Sequence, residues 1–87
     1  MRIGTRGTVP KVRLFAQARD AAGTGADQLP GATVDDVLTA ARQRYGSVFA
    51  TVLDQSRVWV NGEPAELTQP VDDNDEVAVL PPVSGGC

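Results

Sequence analysis

The sequence predicts a small α+β domain in which one main helix lies across a mixed sheet. Three observations carry this. One apolar stripe at helical spacing runs between a capping signal at Thr33 and a stop signal at Gly46. Short runs at 11–16, 57–60 and 76–80 alternate apolar and polar residues as strands do. Asn61-Gly62 directly follows the second of these runs, and no dipeptide signals a tight hairpin more strongly. With 87 residues there is room for one domain, and 41% hydrophobic against 22% charged residues is an ordinary globular balance.

Residues 1–10 are rich in Gly and Thr and end at Pro10, which reads as a flexible leader ahead of the domain at 11–80. In Lys11-Val12-Arg13-Leu14-Phe15-Ala16, strict alternation places Val12, Leu14 and Ala16 on one face and Phe15 on the other. Arg19 to Gly25 reads as a polar turn, and Asp27-Gln28-Leu29 as a short strand stopped by Pro30-Gly31, the two strands forming a hairpin. Thr33 precedes Asp36 by three residues, a capping box with Asp in place of Glu or Gln. Asp35 and Asp36 suit the positive end of the helix dipole, and Arg42 and Arg44 the negative end. Val34, Val37, Leu38, Ala41 and Tyr45 form the buried stripe. Val48, Phe49, Val52 and Leu53 suggest a further short helical turn capping the core. The strand at 57–60 turns through Asn61-Gly62 into Glu63-Pro64-Ala65, which its proline confines to an edge. A polar connection over 67–75 leads to the last strand, Glu76 to Leu80.

Helix and sheet faces do not balance. The helix covers the side bearing Val12, Leu14, Val58, Val60, Val77 and Val79, so Phe15, Trp59, Ala78 and Leu80 share the other side. A domain this small has no second layer for them, and Trp and Phe beside an exit strand point to a docking surface, although a leader or loop folded over the patch would also cover it.

Several function classes are excluded or weakened by composition. There is no histidine, which removes the commonest general base and metal ligand and leaves Ser47, Ser56 and Ser84 without an activating partner. A net charge of -3 with one lysine, Lys11, argues against nucleic acid. No apolar run approaches membrane-spanning length, and the N-terminus lacks the apolar core of a secretory signal, so no membrane partner is expected. The single cysteine, Cys87, forms no internal disulfide and cannot hold an iron–sulfur cluster; a reducing, cytoplasmic location is expected. The acidic run 72–76 lacks the glycine and distal glutamate of a calcium loop and reads as a solvated turn. Gly23-Thr24-Gly25 is not followed by the lysine of a phosphate loop. No bound metal or cofactor is expected.

The chemistry is expected instead at the end of the sequence. In Pro81-Pro82-Val83-Ser84-Gly85-Gly86-Cys87, the prolines stop sheet pairing and the two glycines remove every side chain beyond the backbone. Such an extended segment over 81–87 fits a channel too narrow for a Cβ. Gly and Ser also collect in frayed termini, and on the tail alone that reading competes.

Three stretches together are more specific: Val12-Arg13-Leu14-Phe15-Ala16-Gln17-Ala18-Arg19 with Gly23, Val60-Asn61-Gly62, and Asp75 to Leu80 followed by Pro81-Pro82-Val83-Ser84-Gly85-Gly86. Over residues 11–86 the chain resembles the MoaD branch of the MoaD/ThiS sulfur carriers. That resemblance implies a β-grasp (ubiquitin-like) fold and a carrier rather than an enzyme. It implies that the carboxylate of Gly86 is adenylated by a ubiquitin-activating-type adenylyltransferase using ATP. A rhodanese-type sulfurtransferase then supplies the sulfur of a thiocarboxylate. The sulfur passes to a pterin precursor in the large subunit of molybdopterin synthase, in molybdenum cofactor biosynthesis. Mapped here, Gly86 carries the sulfur and Gly85 gives clearance. Phe15, Trp59, Leu80 and Pro81, with Pro82 and Val83 along the exit, are the candidate partner-binding positions.

One departure matters. Cys87 follows Gly86, so the Gly86 carbonyl is an amide and not a carboxylate. Trimming by a C-terminal peptidase, an added handle, or a persulfide on Cys87 itself are the readings, trimming foremost. Other outcomes stay open: a carrier serving thiamine, cysteine or a specialised sulfur-containing metabolite, a protein modifier, or a plain interaction module.

Overall fold

The structure is a computed structural model that describes residues 8–82. Five strands form one sheet in the order β2-β1-β5-β3-β4. They are β1 (Lys11–Leu14), β2 (Ala26–Gln28), β3 (Arg57–Val60), β4 (Glu63–Pro64) and β5 (Glu76–Leu80), and three helices, α1 (Ala16–Ala22), α2 (Val34–Tyr45) and α3 (Ser47–Asp54), complete the domain. The central pair β1·β5 is parallel, from Lys11 opposite Glu76 to Leu14 opposite Val79, while every other pairing is antiparallel. A parallel central pair flanked by hairpins and crossed by one main helix is the β-grasp arrangement that the resemblance implies.

The core lies on the helix side of the sheet. Val12, Leu14, Val60, Val77 and Val79 are buried there against Val34, Val37, Leu38 and Ala41 of α2 and Phe49 and Leu53 of α3, with Val58 partly buried beside them. Tyr45 packs edge-on against Phe49 with ring centroids 5.0 Å apart, an arrangement that suits the ring quadrupoles.

Helix α2 begins as its sequence asks. The first backbone N–H groups of a helix have no partner within it. Here Val34 and Asp35 donate to Gln69 O and Leu67 O at 2.9 Å each, and Val37 donates to Thr33 O at 3.1 Å. Asp36 N donates to the Thr33 hydroxyl at 3.2 Å, and the Asp36 carboxylate reaches back to Ala32 N at 3.3 Å, one residue before the cap. The polar connection thus seats the helix, and its Val71 is buried.

Five expectations are corrected. Ala16 does not extend β1: it has φ +50° and opens α1. The segment read as a polar turn is largely that helix. Its residues are alanines with charged neighbours and only Ala18 is buried, so it shows no stripe of large apolar side chains. Gly23, at φ +81°, ends it by donating to Arg19 O. The short second strand runs from Ala26 and not Asp27, and the further turn is the full helix α3. Finally, Thr8 to Pro10, placed in the leader, join the body: Gly31 N donates to Thr8 O at 3.0 Å, Leu29 N to Pro10 O at 3.2 Å, and Pro10 is buried. Residues 1–7 lie outside the described residues.

Edge strand β2 is tied to α2 by a polar cluster. The Tyr45 hydroxyl donates to Asp27, and Arg44 Nε lies 3.0 Å from the same carboxylate oxygen. The phenol hydrogen bond, reinforced by the Gln28 backbone N–H and Arg44, holds the Asp27 carboxyl below its ordinary range. Burial first, then the Asp27 carboxylate, pushes the Tyr45 phenol up to about 12. A phenol raised on folding contributes stability that is complete below its ordinary pKa of 10.0 and disappears as pH rises to about 12. Tyr45→Phe should therefore narrow its stability gap to wild type across that alkaline window, read as urea midpoints against pH. Gly31 gives a sharper test of packing: an added Cβ would stand 2.7 Å from both Val37 Cγ2 and Val37 N. Gly31→Ala should cost about 1–3 kcal/mol in urea unfolding, as overpacking does.

Candidate functional site

Strand β5 carries the site because it delivers the chain to Pro81. Its odd and even residues divide cleanly: Val77 and Val79 are fully buried in the core, while Glu76, Ala78 and Leu80 are half-buried on the opposite face. Register then sets the neighbours. Arg57 lies opposite Leu80 and Trp59 opposite Ala78, and β4 adds Pro64 beside Trp59. Turning the β3–β4 corner requires positive φ at both Asn61 (+54°) and Gly62 (+86°), the geometry that suits a two-residue hairpin. Asn61 also locks the start of β5: its backbone N–H donates to Glu76 O at 2.9 Å, and its side-chain oxygen accepts from Glu76 N at 3.0 Å.

Where β5 ends, Gln55, Arg57, Trp59, Leu80, Pro81 and Pro82 line a concavity of about 280 Å³. Pro81 is buried and Pro82 exposed. Trp59, Leu80, Pro81 and Pro82, singled out from the sequence, are thus brought together. Phe15 is near but not among them. Its backbone N–H donates to Val79 O at 3.3 Å, continuing the β1·β5 ladder, while the residue is 40% exposed and lines a neighbouring concavity with Arg13, Arg19 and Gly25. The Arg13 guanidinium stands 5.9 Å from the Phe15 ring centroid, within cation–π range. Val83, Gly85, Gly86 and Cys87 lie outside the described residues.

Sequence reasoning missed Arg57 and Gln55. A single cation at the start of a strand looks like a solvated surface residue; only the pairing of β3 with β5 puts it at the exit. The acidic run is occupied with its own loop. Asp75 accepts from Asn61 Nδ2 and Asp72 N at 2.8 Å each, bonds that hold its carboxyl below the ordinary range. Asp72 accepts from Asn74 N and Asp73 from Val9 N. Among the described residues no group of carboxylates or thiols is arranged to hold a metal ion, and no helix is long and apolar enough to cross a membrane. Among the described residues the depression is lined by no carboxylate, hydroxyl or thiol. The arrangement offers an apolar, cation-flanked depression where β5 ends, just ahead in sequence of Val83-Ser84-Gly85-Gly86-Cys87.

Comparison with known proteins converges on one group. The model of the ThiS family matches residues 12–86. A molybdopterin synthase sulfur carrier subunit from Pyrenophora tritici-repentis is 33% identical over 78 residues, spanning 83% of this chain and 84% of the relative. Small archaeal modifier protein 1 from Methanosarcina acetivorans superposes with a TM-score of 0.81 at 31% identity, covering 93% of this chain and 99% of that one. The protein of the same name from Haloferax volcanii gives 0.80 at 32% identity, over 90% and 99%.

The two faces of the sheet should respond differently to truncation. Leu14→Ala, on the buried face, should cost about 2–5 kcal/mol. Leu80→Ala, half-buried on the open face, should cost only about 1 kcal/mol, since little of its area is lost from the core. Equal losses in urea unfolding would contradict the assignment of faces.

Proposed function

The chain belongs to the ThiS family of small ubiquitin-like sulfur carriers, and from that premise we propose that it delivers sulfur for molybdopterin synthesis as a thiocarboxylate on Gly86. The observation that carries this reading is the placement of Trp59, Leu80, Pro81 and Pro82 in one depression where β5 hands over to the Gly85-Gly86 segment. A partner that seats this depression holds the body fixed while the glycines, having no side chains, enter its active site. A carboxylate is a poor electrophile. Attack of a Gly86 carboxylate oxygen on the α-phosphate of ATP, with loss of pyrophosphate, gives an acyl-adenylate. A persulfide sulfur from a rhodanese-type donor then displaces AMP, and reductive cleavage of the resulting acyl disulfide by a thiol leaves the thiocarboxylate. ATP belongs to the activating enzyme, and the protein itself supplies reach and a docking face. The acceptor is a pterin precursor held in the large subunit of molybdopterin synthase, a reading supported by likeness to the fungal carrier subunit.

Cys87 sets a precondition. While the Gly86–Cys87 peptide bond is intact, Gly86 has no carboxylate to adenylate, so a peptidase must cut it first. The likeness to small archaeal modifier proteins favours one second reading, conjugation of Gly86 to a lysine of another protein.

Incubation with the host's activating enzyme, ATP, a sulfur donor and a thiol separates these. The chain that retains Cys87 should be inert. The chain ending at Gly86 should form an adenylate and then exchange one oxygen for sulfur, seen by intact-mass spectrometry. Lysine-linked adducts without that exchange would favour conjugation, and adenylation of the untrimmed chain would overturn the precondition.

A further inference from the structure

The open face of the sheet differs in charge from the molecule as a whole. The chain has a net charge of -3. Yet the open-face positions of the three longer strands hold Lys11, Arg13 and Arg57 against one carboxylate, Glu76. Arg13 is engaged: its guanidinium lies 3.4 Å from Glu76 and over the Phe15 ring. Arg57 is not, since among the described residues no carboxylate lies within ion-pair distance of it. It stands opposite Leu80, exposed, on the wall of the exit depression with Gln55, Trp59 and Pro81.

Resting on the carrier reading above, we propose that Arg57 is a specificity residue for the activating enzyme, whose docking surface seats a carboxylate against it beside an apolar contact to Trp59 and Leu80. A guanidinium offers N–H donors in a fixed fork that matches a carboxylate, and has no acceptor of its own. Trp59 and the prolines line the same depression, so a partner seated there would bury the pair it forms with Arg57 among apolar groups, where a charge-assisted hydrogen bond is stronger. Gln55 adds an amide that can donate to the same oxygen pair. Selectivity has to reside in the body, because a Gly-Gly segment is chemically identical in every carrier that ends with it. A cationic patch on an otherwise acidic protein also orients its approach, so that the exit side leads.

The test uses the chain ending at Gly86, the host's activating enzyme, and ATP–pyrophosphate exchange. Arg57→Glu should raise KM for the carrier about tenfold or more with kcat little changed, the size expected for reversing one interfacial charge. Arg57→Lys should fall between it and wild type, keeping the charge and losing the fork. Arg57→Gln should raise KM more than Gln43→Glu, an exposed position on α2 that lowers net charge equally. The wild-type KM should rise with added salt, and unchanged urea midpoints would show that all variants fold. Adenylation with an unchanged or lower KM in Arg57→Glu overturns the inference and leaves the carrier reading standing. Failure of the wild-type trimmed chain to be adenylated overturns both.

Discussion

The parallel pairing of β1 with β5 is the constraint on which the rest depends. It joins residues 11–14 to 76–79, so the first and last strands of the domain lie side by side at the centre of the sheet. Parallel strands need a crossover, and everything between them is that crossover: a helix-linked hairpin partner on one side, α2 and α3 over the face, and β3 with β4 on the other side. The ladder continues one step beyond Leu14, through Phe15 N to Val79 O, and there the two strands part. Ala16 turns away at φ +50° into α1, while β5 runs on to Leu80 and Pro81. β5 thus ends at Leu80, one residue past the point where the central ladder stops.

The pleat separates a buried face of β5 from an open one. One face of β5 supplies the valines that the helices cover, and the other supplies Ala78 and Leu80 to a surface that no element of the described domain covers. Because successive side chains alternate, a slip of one residue would exchange the two sets and destroy both core and site. Asn61 guards against it, bonding Glu76 with backbone and side chain at the first residue of the strand. The same device therefore fixes which side chains of β5 enter the core and which line the depression.

Most of the fold was legible because its main elements follow simple periods. The α2 stripe with its Thr33 cap, the 57–60 and 76–80 strands, the Asn-Gly corner and the edge placement of Pro64 could all be read from residue type and spacing. What escaped had no period to read. Helix α1 buries one alanine side chain, so propensity alone speaks for it, and Ala16 at positive φ breaks the alternation set by Val12 and Leu14. The roles of Leu67 and Gln69, whose carbonyls receive the first N–H groups of α2, depend on contacts over more than 30 residues. The apolar members of the site were visible by alternation, whereas Arg57 became meaningful only through cross-strand register.

A central strand that is also the last strand has a consequence during synthesis. Until β5 has left the ribosome, β1 and β3 face an empty slot, and the valines that close the core are missing. Native pairing at the heart of the sheet must then wait for the last strand of the domain, the costly long-range step in forming such a topology. Translation therefore delivers the exit depression, built from both β3 and β5, only on a finished body. A chain ended before β5 would lack Leu80, Pro81 and Pro82, and with them half the lining of the depression as well as the central strand.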